Sequence, residues 1–239
     1  MRFLCCFVLL AVLAPGAVAG DYGTLKATYA GQAAGHSKGN GGRFDWTNVS
    51  QPDLTGWDPA WKLNLVAGTL YTFCIELQQN IASGATTYDV NALTNAPKPG
   101  AGSTMSATQA SNLEILMDHF FQSASTAGVD GVAKAAAFQL AVWEVVFGDY
   151  DAVNTILAGP SGYNATDRSN ADALLAQLPA RGGTLSDIPT LKSLALVSSN
   201  PNGRQDQIFQ VAVPELASLS VWSVLACAVG GIFRRRRVG

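Results

Sequence analysis

The sequence predicts a single α+β domain, built from short antiparallel strands and a central helical part. It also predicts an N-terminal signal peptide at 1–19 and a C-terminal transmembrane helix within 214–239. Three observations carry this. The two ends are apolar and flanked by arginine, residues 69–77 alternate with a strand's period of two, and the middle of the chain carries apolar stripes at helical spacing. Between the ends lie 194 residues (20–213), enough to bury a core without metal or disulfide staples.

The chain starts Met1-Arg2, runs apolar from Phe3 to Leu13 and reaches Ala17-Val18-Ala19 before Gly20. A positive start, a short apolar core and small residues at the exit are the marks of a secretory signal. Glycines at 35, 39, 41 and 42 suggest that residues 20–60 form loops between short strands, one starting at Arg43-Phe44-Asp45-Trp46. Trp57 and Trp61 bracket a turn at Asp58-Pro59. A firmer strand is expected from Thr69 to Leu77. Its alternation sets Tyr71, Phe73, Ile75 and Leu77 on one face, and Leu70, Thr72, Cys74 and Glu76 on the other. Residues 84–102, with Pro97 and Pro99, read as loop.

Ser103 to Ser106 offers caps for a helix whose stripe is Leu113, Leu116, Met117, Phe120 and Phe121. Asp130 is placed to cap a second helix running to Phe147, with Ala135, Gln139, Val142, Trp143 and Val146 along one face. A third spans about 167–178 and stops near Pro179 and Gly182. Leu191–Val197 and Gln207–Val213 then form a hairpin around Asn200-Pro201-Asn202-Gly203.

Charge narrows the function. The body carries ten Lys/Arg against sixteen Asp/Glu, a net of about −6. An acidic body without a basic patch argues against nucleic acid. Two histidines and one body cysteine exclude a zinc finger and a disulfide scaffold. Asp149 and Asp151 suggest at most weak calcium binding, since the glycine and distal glutamate of a calcium loop are absent. No phosphate loop, nucleophile elbow or zinc helix occurs, and a hydrolase lacks an assignable general base. The expectation is a protein that is not an enzyme and uses no cofactor.

The tail reads Val213-Pro214-Glu215, then 18 residues without charge (Leu216 to Phe233), then Arg234 to Arg237. As a helix, that stretch spans about 27 Å, marginal for a bilayer core, with the arginines on the cytoplasmic side. The order Val-Pro-Glu, short helix, arginine cluster resembles the PEP-CTERM sorting signal of Gram-negative and planctomycete bacteria. Leu216 departs from it where that family usually has a second proline. The resemblance implies processing by an exosortase, a transient or permanent membrane anchor, and delivery to the cell surface or extracellular matrix.

With Cys5 and Cys6 in the signal and Cys227 in the tail, Cys74 is alone in an exported body. Such a cysteine is buried and inert, paired to another chain, or chemically occupied. On its strand Cys74 falls opposite the aromatic row, so it is not an obvious core filler. Gln139 is the second oddity: mid-helix on an apolar stripe among alanines, it costs desolvation unless its amide is satisfied. A bond from the Cys74 sulfur to the Gln139 side-chain carbonyl carbon, with ammonia lost, explains both.

Phe73-Cys74-Ile75-Glu76-Leu77 followed by Ala137-Phe138-Gln139-Leu140-Ala141-Val142-Trp143-Glu144 resembles the thioester domains of bacterial surface adhesins. There, a cysteine between bulky apolar residues pairs with a glutamine in a Gln-x-Ala-apolar-Trp helix. The resemblance covers about residues 70–210 and departs at Phe138, where many such domains carry threonine. It implies Cys74 and Gln139 as the cross-link, with Phe73 and Trp143 shielding it. It also implies coupling to an amine-bearing target. Glu76 and Glu144 are candidates for proton transfer, though surface or capping roles suit them better. His119 and His36 read as structural. The bond closes 65 residue steps, worth roughly 4 kcal/mol if treated like a disulfide. The alternative is a non-reactive structural or polysaccharide-binding matrix protein using Trp46, Trp57 or Trp61.

Overall fold

The computed structural model describes residues 22–38, 41–53, 57–59, 61–76, 81, 83–98, 103–126, 130–147, 162–188, 191–198 and 205–213. The expected signal peptide, the PEP-CTERM-like tail with Cys227, Leu77, the 200–203 turn, Asp149 and Asp151 lie outside the described residues.

Eight antiparallel strands form the main sheet: β1 (Thr24–Lys38), β2 (Gly41–Asp53), β3 (Lys62–Leu63), β4 (Leu65–Val66), β5 (Thr69–Cys74), β6 (Gly84–Ala92), β9 (Leu191–Ser198) and β10 (Gln207–Ala212). Their order is β3-β10-β9-β6-β1-β2-β5-β4, and β10 also pairs with β5, which closes a barrel-like ring. A small ladder, β7 (Pro97–Lys98) with β8 (Ser103–Thr104), leads into the helices. The inside of the ring is filled from all six of its strands, by Leu25, Trp46, Leu70, Tyr88, Leu194, Leu196 and Phe209 among others.

The three helices pack against one side of the ring. In α1 (Ala107–Ser125) the Ser106 side chain accepts from the Gln109 backbone N–H while Gln109 reaches back to the Ser106 backbone N–H, a capping box. In α3 (Ala165–Leu175) Asn164 and Asp167 make the same reciprocal pair. Between them lies α2 (Gly131–Phe147), buried without a break from Ala135 to Val146. A helix apolar on every side has no solvent face to give, so it becomes the centre of the helical layer. Phe44, Phe73, Ala195 and Ile208 meet it from the sheet. Arg43 ties the layers together: it grips Asp45 bidentately, donates to the Ser125 carbonyl at the end of α1, and lies 4.0 Å from the Tyr71 ring centre.

The three helices, the turn at Trp57–Trp61 (Trp61 N–H to the Asp58 carbonyl, 2.9 Å) and the β9–β10 hairpin follow the sequence reading. Two regions do not. Residues 24–53 form two long strands rather than loops between short ones. They pair through several register shifts, where glycines and bulges let the ladder bend instead of ending. Within 84–102, expected as loop, β6 pairs with β1 and β9 and buries Thr86, Tyr88 and Val90 on one face. That alternation was in the sequence, but its glycine, asparagine and proline neighbours outweighed it.

Candidate functional site

Cys74 ends β5, and Gln139 sits at the middle of α2. Both are wholly buried. The β2–β5 ladder runs through Trp46↔Leu70 to Arg43↔Phe73, so its next rung would set Gly42 opposite Cys74. The Gln139 carboxamide takes that place. Its Oε1 accepts from the Cys74 backbone N–H at 3.0 Å and from the Gly42 N–H at 3.4 Å, and its Nε2 donates to the Cys74 carbonyl at 2.7 Å. The side chain acts as a borrowed peptide group, which answers the desolvation cost of a mid-helix glutamine. The same geometry aims two backbone N–H groups at the carboxamide oxygen. That is the arrangement an oxyanion needs when a nucleophile adds to the carbonyl carbon.

Room for this contact depends on Gly41. A Cβ built there would stand 2.7 Å from Trp143 Cη2 and 2.8 Å from Gln139 Cγ, with Tyr163 Oη closer still. Phe73 stacks edge-on to Phe138 at 4.6 Å and to Phe121 at 5.8 Å. Phe138, the departure from the adhesin motif, therefore fills the apolar wall beside the cysteine. Trp143 is 1% exposed, and its indole lies close enough to the Cys74 sulfur to act on the thiol.

Cys74 is a free thiol. It donates to the Glu76 carbonyl, and the Glu76 N–H approaches the sulfur at 3.3 Å. Burial pushes the thiol well above its ordinary pKa. The Glu76 backbone contact and then the Trp143 indole oppose this, while the charges of Glu76 and Asp206 add to it. A neutral thiol in an apolar wall is protected from casual oxidation. Alternation placed Cys74 on the face opposite Phe73 and away from the core. Instead both side chains belong to the same cluster against the helices, because the strand ends in a bend at Ile75.

Glu76 and Glu144 are also buried, which corrects their expected surface position. Glu76 does serve as a cap. Its Oε2 accepts from the Asp206 N–H at 3.0 Å, and its carbonyl accepts from Gln205 Nε2 at 2.7 Å. Burial raises its pKa, partly offset by the Asp206 N–H. Asp206 is pushed up to about 7 by burial and by the Glu76 charge, against a lowering bond from the Ser198 N–H. His119 lies 2.8 Å from the Ser186 carbonyl, a structural contact.

Trp46, one of three candidates for sugar binding, is wholly buried and donates to Thr72 Oγ1 at 2.8 Å, so it faces no ligand. Trp57 and Trp61 pack edge-on at 5.5 Å beside an open hollow lined by Pro59, Lys62, Leu63 and Leu65. An apolar groove of about 430 Å³ between the helices touches α2 at Ala137 and Phe138 but not at Gln139. Among the described residues no group of His, Cys, Asp and Glu is placed to hold a metal ion, and no helix is long and apolar enough to cross a membrane.

Sequence reasoning missed Gly41, Gly42 and Tyr163. The glycines were visible only as turn formers, and a lone tyrosine in a connection carries no pattern.

No protein-family model matches the chain, and no curated protein is similar to it. Two solved structures resemble it. One is the N-terminal domain of the Streptococcus pyogenes pilus tip adhesin Cpa, at 14% identity and a TM-score of 0.47, covering 82% of this chain and 96% of that one. The other is the N-terminal thioester domain of the fibronectin-binding protein SfbI from Streptococcus pyogenes, at 15% identity and a TM-score of 0.43, covering 81% and 95%.

Proposed function

We propose that this chain is an exported surface or matrix protein that forms an internal thioester between Cys74 and Gln139 and couples through it to an amine-bearing target. One observation carries the reading: the Gln139 carboxamide is held against the Cys74 peptide with its oxygen under two N–H donors, in a wholly buried setting. Fixing thiol and carboxamide together makes their reaction intramolecular. The thiol adds to the carboxamide carbon, ammonia leaves, and an acyl–sulfur bond remains. An amine then replaces the sulfur, giving an amide and a free thiol. The chain is consumed in that step, so it acts once and does not turn over. Phe73, Phe138 and Trp143 exclude water from the bond in the meantime.

Export through the signal at 1–19, sorting of the 213–239 segment by an exosortase and a membrane anchor before processing belong to the same proposal. Their support is the order of residues at the two ends.

Intact mass of the purified chain is the test. The expected result is a mass short by one ammonia, with one titratable thiol fewer than the chain has cysteines until methylamine is added. The Cys74→Ala chain should have its full mass. A wild-type chain of full mass in which every cysteine titrates after denaturation sinks the reading. A non-reactive polysaccharide-binding protein is the second reading, favoured by the Trp57–Trp61 pair beside its open hollow. It expects full mass and sugar binding that Cys74→Ala leaves unchanged.

A further inference from the structure

Tyr163 stands one residue before the cap of α3, with its ring edge-on to Trp143 at 6.0 Å. The residue is half-buried, yet its hydroxyl is shut inside with no hydrogen-bond partner among the described residues. A buried hydroxyl without a partner is costly to keep. Its position is fixed by the same crowding that requires Gly41. Tyr163 Oη, Trp143 Cη2 and Gln139 Cγ all converge on the point a Cβ of residue 41 would occupy. The hydroxyl therefore sits at the edge of the Cys74–Gln139 centre, on a ring that continues outward to solvent.

We infer that Tyr163 is the proton relay of that centre. The inference rests on the thioester reading and adds to it the group that moves the proton. The need for one is chemical. When the Cys74 sulfur bonds to the Gln139 carboxamide carbon and the C–N bond breaks, the thiol loses a proton and the departing nitrogen must gain one to leave as ammonia. Tyr163 gives its proton to the nitrogen and receives the sulfur's. When an amine later attacks, the new C–N bond forms and the C–S bond breaks. The amine's proton passes to Tyr163, and the hydroxyl's own proton goes to the sulfur. Both steps balance with no further reagent, and the tyrosine ends as it began. A hydroxyl suits the task because it donates and accepts at one atom.

The surroundings keep the relay protonated at rest. Burial, then the charges of Cys74 on β5 and Asp167 in the first turn of α3, hold the Tyr163 hydroxyl above its ordinary range. Gln139 and Trp143 from α2 and Gly41 from β2 bring no charge, while Glu76 and Asp206 act on Cys74 itself. The Asp167 carboxylate is itself engaged by the Asn164 N–H in the capping box of α3.

The test compares the full-length wild-type chain with Tyr163→Phe, measuring the ammonia deficit by intact mass and the rate of methylamine coupling against pH. Coupling by Tyr163→Phe should be at least about tenfold slower. Its rate should also rise more steeply with pH, because the proton must then leave to solvent base. Equal rates at every pH, with the same deficit, overturn the relay. Should Tyr163→Phe fail to fold, 3,5-difluorotyrosine at 163 keeps ring and hydroxyl but makes the latter more acidic. The coupling profile should then move toward lower pH, and an unmoved profile overturns the relay. A wild-type chain of full mass removes the thioester reading and the relay together. A normal wild-type deficit with an unaffected variant removes the relay alone.

Discussion

Two buried polar regions meet the same strand and are built on opposite principles. At one end of β10, Gln207 lies opposite Cys74, where a neutral carboxamide is paired with a neutral peptide group. Three residues on, Gln210 donates to Asp118 at 3.1 Å, where carboxyl groups gather. Asp118 also accepts from the Ile188 N–H at 2.9 Å, and Asp187 and Glu114 lie near enough to raise its pKa. In the first region, the Cys74–Gln139 pairing joins neutral groups, with the Glu76 and Asp206 carboxyls close by. The second is satisfied only while its protons stay on. A labile acyl–sulfur bond needs a pairing of the first kind, because neutral groups that satisfy one another hold no water.

Breaking the neutral pairing should have the largest effect. Gln139→Leu removes the bonds at 3.0 and 2.7 Å to the Cys74 peptide and leaves a buried N–H and C=O without this partner. We expect a loss of about 2–4 kcal/mol in denaturant unfolding, with the ammonia deficit gone. A loss below about 0.5 kcal/mol would mean that the carboxamide is not the ladder's missing rung.

The carboxyls of both regions should show themselves through pH. Burial raises Asp118 and Asp206 to about 7, and Glu76 and Glu114 are raised as well. A carboxyl whose folded pKa lies above its unfolded value binds its proton more tightly when folded. The stability it gives is therefore complete below the unfolded pKa near 4 and is lost as pH climbs through about 7. Unfolding free energy should fall as pH rises from about 4 to just above 7, by on the order of 1–2 kcal/mol after solvent screening. Asp118→Asn should flatten part of that slope. A slope of the opposite sign would show that these carboxyls are ionised and paired in the fold, and the contrast between the two regions would dissolve.

What the sequence disclosed follows the same division. Gln139 was legible because a lone amide on an apolar helical stripe needs a partner to offset its desolvation, and Cys74 because residues 20–213 hold no other cysteine. The helices were legible because their caps and stripes are local. The strands were less so. Tyr88 and Val90 alternate as a strand should, but what decides β6 is its pairing with β1 and β9, more than sixty residues away in one direction and a hundred in the other. Cys74's true face was hidden for a similar reason, since the bend after β5 turns its side chain into the helical layer. Tyr163 was not legible at all, because nothing local marks a residue whose importance lies in what α2 and β2 bring to it.

The smallest effect is expected at Trp46, inside the ring. Its indole N–H donates to Thr72 Oγ1 at 2.8 Å, and the Thr72 hydroxyl donates onward to Gln207 Oε1 at 2.9 Å. This chain runs from the barrel interior to the strand that faces Cys74, on the neutral side of the comparison. Trp46→Phe keeps most of the apolar volume and the edge-on contact with Tyr88, now at 5.5 Å, but loses the donor. The Thr72 hydroxyl keeps its own acceptor, so only one bond is lost and no charge is stranded. We expect a cost of about 1–2 kcal/mol, the same at about pH 5.5 and 8, with the ammonia deficit intact. A cost that changes with pH would link Trp46 to the carboxyl groups instead. Sugar binding should be indifferent to Trp46→Phe, because the wholly buried ring has no face to offer a ligand.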